Sequence, residues 1–195
     1  MYNQLSFIDS DPIQVPHQFD KKEDIEISGF LTATISWGNR KSIINNALRL
    51  VTLMDHAPYE FIMHHEEKDL KRFESFVHRT FNSTDLIQFI KSLKHIYSAY
   101  NGLEAVFSSH AESDSLQLAI HEFKKIFFEI PHLDRTKKHV SDPLKNSAAK
   151  RINIFIRVIN TAKLLKVYQF IFSQSYMHIL IIRKLIKEFI ELGIC

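Results

Sequence analysis

The stretch ISWGNRKSIINNALRLVTLM, residues Ile35 to Met54, decides the fold class. Ile43, Ile44, Ala47, Leu48, Val51 and Met54 recur at the spacing of one apolar face on an α-helix. Upstream, Ile25, Phe30, Ala33 and Trp37 approximate a second helical stripe, from a helix that begins near Lys22 and that Gly38-Asn39 stops. The two helices and the Trp-Gly-Asn-Arg turn between them read as a helical hairpin.

The pattern continues on both sides. Pro58 starts a short helix through Tyr59, Phe61 and Ile62. The segment HHEEKDLKRFESFVHRTF is polar and charged, then aromatic. Ser83 or Thr84 caps the next helix, whose Leu86, Ile90, Leu93, Tyr97 and Tyr100 repeat at helical spacing. A short helix follows from Leu103 to Phe107. Ser113 caps another, with Leu116, Ile120, Phe123 and Phe127 on its inner face, and Pro131 ends it. The loop PHLDRTKKHVSDPLKN leads to Ser147. Before the first helix, Pro12 and Pro16 mark an extended arm over residues 1–20. Every strongly periodic segment is helical, so the expected fold is all-α: a multi-helix globular domain over residues 1–157, followed by a hydrophobic helical tail over 158–195.

Composition agrees. Hydrophobic residues make up 45% and charged residues 24% of the 195, the balance of a soluble globular chain long enough to bury a core. Only 4 Gly and 5 Pro interrupt it, which favours long helices over many tight turns. The single Cys is Cys195, which excludes an internal disulfide, a zinc cluster or an iron–sulfur site and suits a reducing cytoplasm. No cofactor is implied. The first residues lack the basic and apolar regions of a signal peptide. The apolar run MHILII falls far short of the ~20 residues that span a bilayer, so no membrane partner is expected.

Net charge is +3, and its location matters more than its size. Arg135, Lys137, Lys138, Lys145, Lys150 and Arg151 face only Asp142 between them; without this stretch the chain would be slightly acidic. Basic side chains beside a helix N-terminus suit phosphate or nucleic acid, and a solvated basic loop is the plain alternative. His64-His65-Glu66-Glu67 invites a metal reading, but adjacent helical residues diverge by ~100°, so a polar helix end fits better. His78 and Arg79 read as a buried hydrogen-bonded pair or a site wall, and Trp37 as core or as a binding platform. There is no G-x-S-x-G elbow and no glycine-rich phosphate loop.

Several longer words carry a resemblance. DPIQVPHQF, DIEISGFLTATISWGNR, LMDHAPYEFIMHH, FVHRTF, IPHLDRTKKHVSDP and SAAKRINIFIR, between Asp11 and Arg157, resemble an uncharacterised bacterial family known only as a domain of unknown function. That family is in turn distantly similar to helix-hairpin-helix DNA glycosylases. ISWGNRKSIINNAL resembles the early glycosylase helix pair, which places Asn39 and Arg40 in a turn that reaches into DNA. NSAAKRIN resembles the glycosylase hairpin Gly-x-Gly-x-Lys, with Asn146, Ala148 and Lys150 at those positions. The resemblance implies a helix-hairpin-helix glycosylase-like fold, DNA as partner, and Lys150 as the amine that in bifunctional glycosylases forms a Schiff base with the sugar.

Two departures count against chemistry. The hairpin glycines are Asn146 and Ala148, which restrict a backbone that must approach phosphate. The glycosylase Asp about twenty residues after the lysine, which stabilises a sugar cation or activates water, is missing. FIFSQSYMHILII stands there, and no Asp follows Asp142. The resemblance stops at Arg157, and the text beyond is rich in Ile, Leu, Phe and Lys, as when AT-rich DNA is read out of frame. A frameshifted tail and a genuine amphipathic helix that docks a protein partner are the two readings. The functional expectation is a DNA-binding glycosylase relative, catalytically impaired, with Arg135, Lys137, Lys138, Lys145 and Arg151 on the backbone, Asn39 and Arg40 probing the duplex, and Lys150 a phosphate contact or residual nucleophile. The alternative is a non-enzymatic helical interaction protein.

Overall fold

A computed structural model describes residues 10–111 and 115–159. They are mostly helical, as the sequence pattern demands, with one two-stranded hairpin. Six helices come in chain order: α1 (Lys22–Thr34), α2 (Arg40–Leu53), α3 (Pro58–His64), α4 (Ser83–Ala99), α5 (Leu103–Ser109) and α6 (Gln117–Phe127). The described chain ends in helical residues 150–159, here α7.

α1 is the axis of the fold. Its stripe is far wider than the sequence spacing suggested: every residue from Ile25 to Thr34 is buried, the pattern of a helix surrounded by packing. Two of its polar side chains bond to its own backbone: Ser28 Oγ donates to the Asp24 carbonyl at 2.6 Å and Thr34 Oγ1 to the Phe30 carbonyl at 2.8 Å. Glu26, 1% exposed, accepts from the Tyr97 hydroxyl at 2.8 Å. The helix ends at Thr34, so Trp37 lies in the turn beyond it. α2 buries Ile43, Ala47, Val51 and Met54 of its expected face, leaves Ile44 and Leu48 half-buried, and buries Leu50 in addition. Pro58 opens α3 at a position where no amide donor is needed.

Phe30 sits where the helices converge. Its ring meets Phe89 of α4 at 5.7 Å, Phe123 and Phe127 of α6 at 5.6 and 5.5 Å, and Phe155 of α7 at 5.4 Å. All of these rings are buried to 1% exposure or less, which accounts for a composition in which Phe dominates the aromatics.

The structure revises several boundaries. Residues 10–19 of the expected extended arm form two 3-10 turns, Pro12–Gln14 and Pro16–Gln18, and bury Val15 and Pro16 against α1. The polar segment after α3 forms a 3-10 turn, Glu67–Phe73, and then β1 (Val77–His78) paired antiparallel with β2 (Phe81–Asn82). The cap of α4 is Asn82, in place of Ser83 or Thr84: its Oδ1 accepts from the Asp85 amide, and Asp85 returns a bond to the Asn82 amide. Leu116 stands at the N-cap of α6, 37% exposed, where the inner face had been expected to include it. α6 ends at Phe127, ahead of Pro131. Ser113, the tail beyond Ile159 and the string FIFSQSYMHILII lie outside the described residues.

Candidate nucleic-acid interface

The segment 131–149 looks like a solvated loop in sequence, yet one buried carboxylate fixes it. Asp85, in the first turn of α4, is 0% exposed. Its Oδ1 accepts from Thr136 Oγ1 at 2.8 Å, and its Oδ2 from Arg135 at 3.0 Å and from His139 Nε2 at 3.2 Å. A carboxylate only accepts, so Nε2 carries the proton of His139. Burial pushes the His139 imidazole below its usual pKa; Asp85 opposes that, while Lys138 and Arg151 add to it. The neutral ring is therefore the native form, and Arg135 is the cation that balances Asp85.

Trp37 is the neighbouring hub. Its ring lies nearly parallel to His139 at 6.3 Å and edge-on to His78 at 5.1 Å, and the Arg151 guanidinium sits 4.8 Å from its centroid. Asn46 Nδ2 donates to His78 Nδ1 at 3.0 Å, so His78 Nε2–H donates to the Trp37 carbonyl at 3.1 Å. Arg151 also donates to the Thr34 carbonyl at 3.2 Å, at the C-terminal end of α1 where a cation is favoured. Burial lowers its pKa. His78 and Arg79 are no pair: His78 is buried, whereas Arg79 is exposed at φ 56° with its guanidinium against Gly38.

The cations thus divide in two. Arg135, though 43% exposed, and the half-buried Arg151 make hydrogen bonds to the body of the fold, to Asp85 and to the Thr34 carbonyl, and hold the segment in place. Lys137, Lys138, Lys145 and Lys150 are exposed. Lys137 pairs with Asp134 at 3.0 Å. Among the described residues, Lys138, Lys145 and Lys150 have no ion-pair partner. Lys124 of α6, which sequence reasoning passed over, is half-buried nearby. Burial lowers its pKa; Asp142 opposes that, and the charges of Lys145 and Lys137 reinforce it. Asp142 is itself buried and accepts from His121 Nδ1 at 3.0 Å and from the Leu144 amide at 3.1 Å. The clue in the sequence was the spacing of His121 and Lys124, three residues apart on one helix face.

The approach to α7 is tightly turned. Asn146 is left-handed at φ 59°, ψ 30°, and Ala149 has φ 44°. Ser147 Oγ accepts from the Ala149 amide at 3.3 Å, and Asn153 Nδ2 donates to the Ala148 carbonyl at 3.0 Å. Lys150 is the first helical residue and points into solvent. Asn39 caps α2 by accepting from the Ser42 amide at 3.3 Å. The exposed Arg40 lies 3.7 Å from Asp11. Trp37 therefore joins this turn to the basic segment.

Elsewhere, a cleft of about 310 Å³ beside α3 contains none of these residues. His64 there pairs with Glu60 at 3.3 Å, and His65 Nδ1 donates to the Ile62 carbonyl at 2.9 Å. Among the described residues no three His, Cys, Asp or Glu side chains are grouped to hold a metal ion, and no helix is long and apolar enough to cross a membrane.

Neither the curated proteins nor the solved structures contain a match to this chain. One family model does match, described as a protein of unknown function, DUF2400, and it covers residues 11–160. Those bounds fall close to the words between Asp11 and Arg157 that carried the resemblance. The chain therefore belongs to the DUF2400 family of proteins of unknown function.

Proposed function

We propose that the chain binds DNA through the face built by residues 131–150, as a non-catalytic relative of helix-hairpin-helix glycosylases. One observation carries the reading: a buried carboxylate, Asp85, fixes a segment whose lysines 138, 145 and 150 point outward without described counter-ions. A solvated loop has no need of such an anchor. With the backbone of the segment already fixed, only the lysine side chains have to be ordered when phosphates dock.

Lys150 is a phosphate contact in this reading. A nucleophilic lysine needs a desolvated amine, and Lys150 is exposed. The left-handed Asn146, at the position of the first glycine in the glycosylase hairpin, supports the likeness, because Asn is the side chain that best tolerates that backbone. Asn39 and Arg40 would probe the duplex from the adjoining turn, at the cost of the Asn39 cap.

Fluorescence anisotropy with a short labelled duplex tests the proposal. Phosphate contacts from Lys137, Lys138, Lys145 and Lys150 give a slope of log K against log salt of about −3 to −4 over ~50 to 200 mM. Folded protein that fails to bind, or binds without salt dependence, overturns it.

A further inference from the structure

The segment singled out by its sequence does not account for all of the gathered positive charge. His121 and Lys124 lie one turn apart on α6 and share a face. His121 fixes which way that face looks: its Nδ1 is 3.0 Å from Oδ1 of Asp142, the residue that caps the Pro143–Lys145 turn. Lys124 looks the same way, and the charges of Lys145 and Lys137 reach its ammonium. Three cations from three separate elements thus converge. The counter-charge among them is one buried carboxylate, Asp142, whose charge reaches Lys124 while its oxygens are engaged by His121 and the Leu144 amide; Asp134, whose side chain is 94% exposed, pairs with Lys137. Among the described residues Lys124 and Lys145 have no ion-pair partner. Like charges held together in this way repel, and the arrangement becomes favourable when an anion with several acceptor oxygens sits among them.

We infer that Lys124, with Lys145 and Lys137, forms a phosphate subsite that carries the DNA-binding face beyond the 131–150 segment and onto α6. The inference rests on the DNA-binding reading above. The ligand is a backbone phosphodiester, which presents two unesterified oxygens to cations on different elements. Lys124 suits it because packing already holds its stem, so less side-chain freedom is lost on binding than for a fully exposed lysine.

The test compares Lys124→Gln with Lys71→Gln, an equal change of charge on the distant Glu67–Phe73 turn, and with Lys124→Arg, which restores the charge. Each is titrated with the labelled duplex across ~50 to 200 mM salt, after circular dichroism has confirmed folding. Each lost phosphate contact makes the fall in affinity over that range about threefold smaller. Lys124→Gln is expected to show that change, with Lys71→Gln and Lys124→Arg following the parent protein. If Lys124→Gln instead coincides with Lys71→Gln while the parent binds with steep salt dependence, the subsite is wrong and the DNA reading stands. If folded parent protein does not bind, the DNA reading falls and the subsite with it.

Discussion

His139 Nε2 lies 3.2 Å from Asp85 Oδ2, and the two side chains are 2% and 0% exposed. They are 54 residues apart in sequence, and the bond between them ties the basic segment to the first turn of α4. Thr136 and Arg135 complete the grip on the same carboxylate. The strongest local anchor of the candidate interface is thus one acid on a different element.

Replacing that acid should release the segment. Asp85→Ala frees the half-exposed Arg135 to turn to solvent but leaves the buried Thr136 and His139 donors without their acceptor, at a cost of about 1–3 kcal/mol for each such group. Asp85→Asn keeps one acceptor for Thr136 but turns an amide toward His139, so it should cost less. Urea unfolding measures both, and limited proteolysis should cut the variants between Asp134 and Asn146 before the parent. An unchanged unfolding midpoint in Asp85→Ala would remove the anchor from the account.

His139 also makes stability depend on pH. Burial holds its pKa below the ordinary 6.5, so over the interval between the folded value and 6.5 the unfolded chain binds more protons than the native one. The contribution is complete above pH 6.5 and falls away as the pH drops through the folded value. Asp85 opposes the shift, while Lys138 and Arg151 deepen it. His17 is lowered by burial too and contributes with the same sign. His139→Gln removes only one of these, so melting temperatures followed from about pH 5 to 7.5 should fall less steeply on acidification than in the parent. Parallel curves would contradict this.

Helix existence was plain in the sequence because α2, α4 and α6 each carry a one-sided apolar stripe. α1 was harder to read, since burial on nearly every side leaves no clean stripe; Phe30 showed its spacing but not its place among four other rings. The hairpin at Val77–Asn82 was hidden by its length, because two-residue strands show no alternation. The basic segment was legible as charge, but not which cations hold it and which face outward. That division depends on Asp85, an acid in the first turn of α4 whose spacing alone reads as an ordinary capping residue. Lys124 was missed because its neighbours in the site come from other elements.

Trp37 offers a direct view of the hub, since it is the single tryptophan. Arg151→Lys keeps the charge but loses the guanidinium over the Trp37 ring and the fork that reaches Thr34, so it should destabilise by about 1–2 kcal/mol. The same change should shift Trp37 emission, because the cation 4.8 Å from its centroid moves. Spectra of Arg151→Lys and of Lys150→Gln separate the inward residue from the outward one. Lys150→Gln should leave the emission maximum where it is. Identical spectra for all three proteins would show that Arg151 does not lie over the Trp37 ring in solution.

Asn146 tests the hairpin itself. It adopts φ 59°, ψ 30°, a region that costs a residue with an ordinary Cβ about 1–2 kcal/mol and costs glycine nothing. Asn pays part of that, because its short polar side chain tolerates the left-handed region better than most. Asn146→Ala should therefore lower stability by about 1 kcal/mol, and Asn146→Gly should change it by no more than ~0.5 kcal/mol, as gained native freedom offsets the looser unfolded chain. The two variants carry the same net charge, so any difference in duplex affinity reports backbone shape. If the turn approaches phosphate as the glycosylase hairpin does, Asn146→Gly should bind at least as tightly as the parent and Asn146→Ala more weakly. Equal affinity for the two would confine DNA binding to the lysine side chains and leave the turn a structural link between Asp142 and α7.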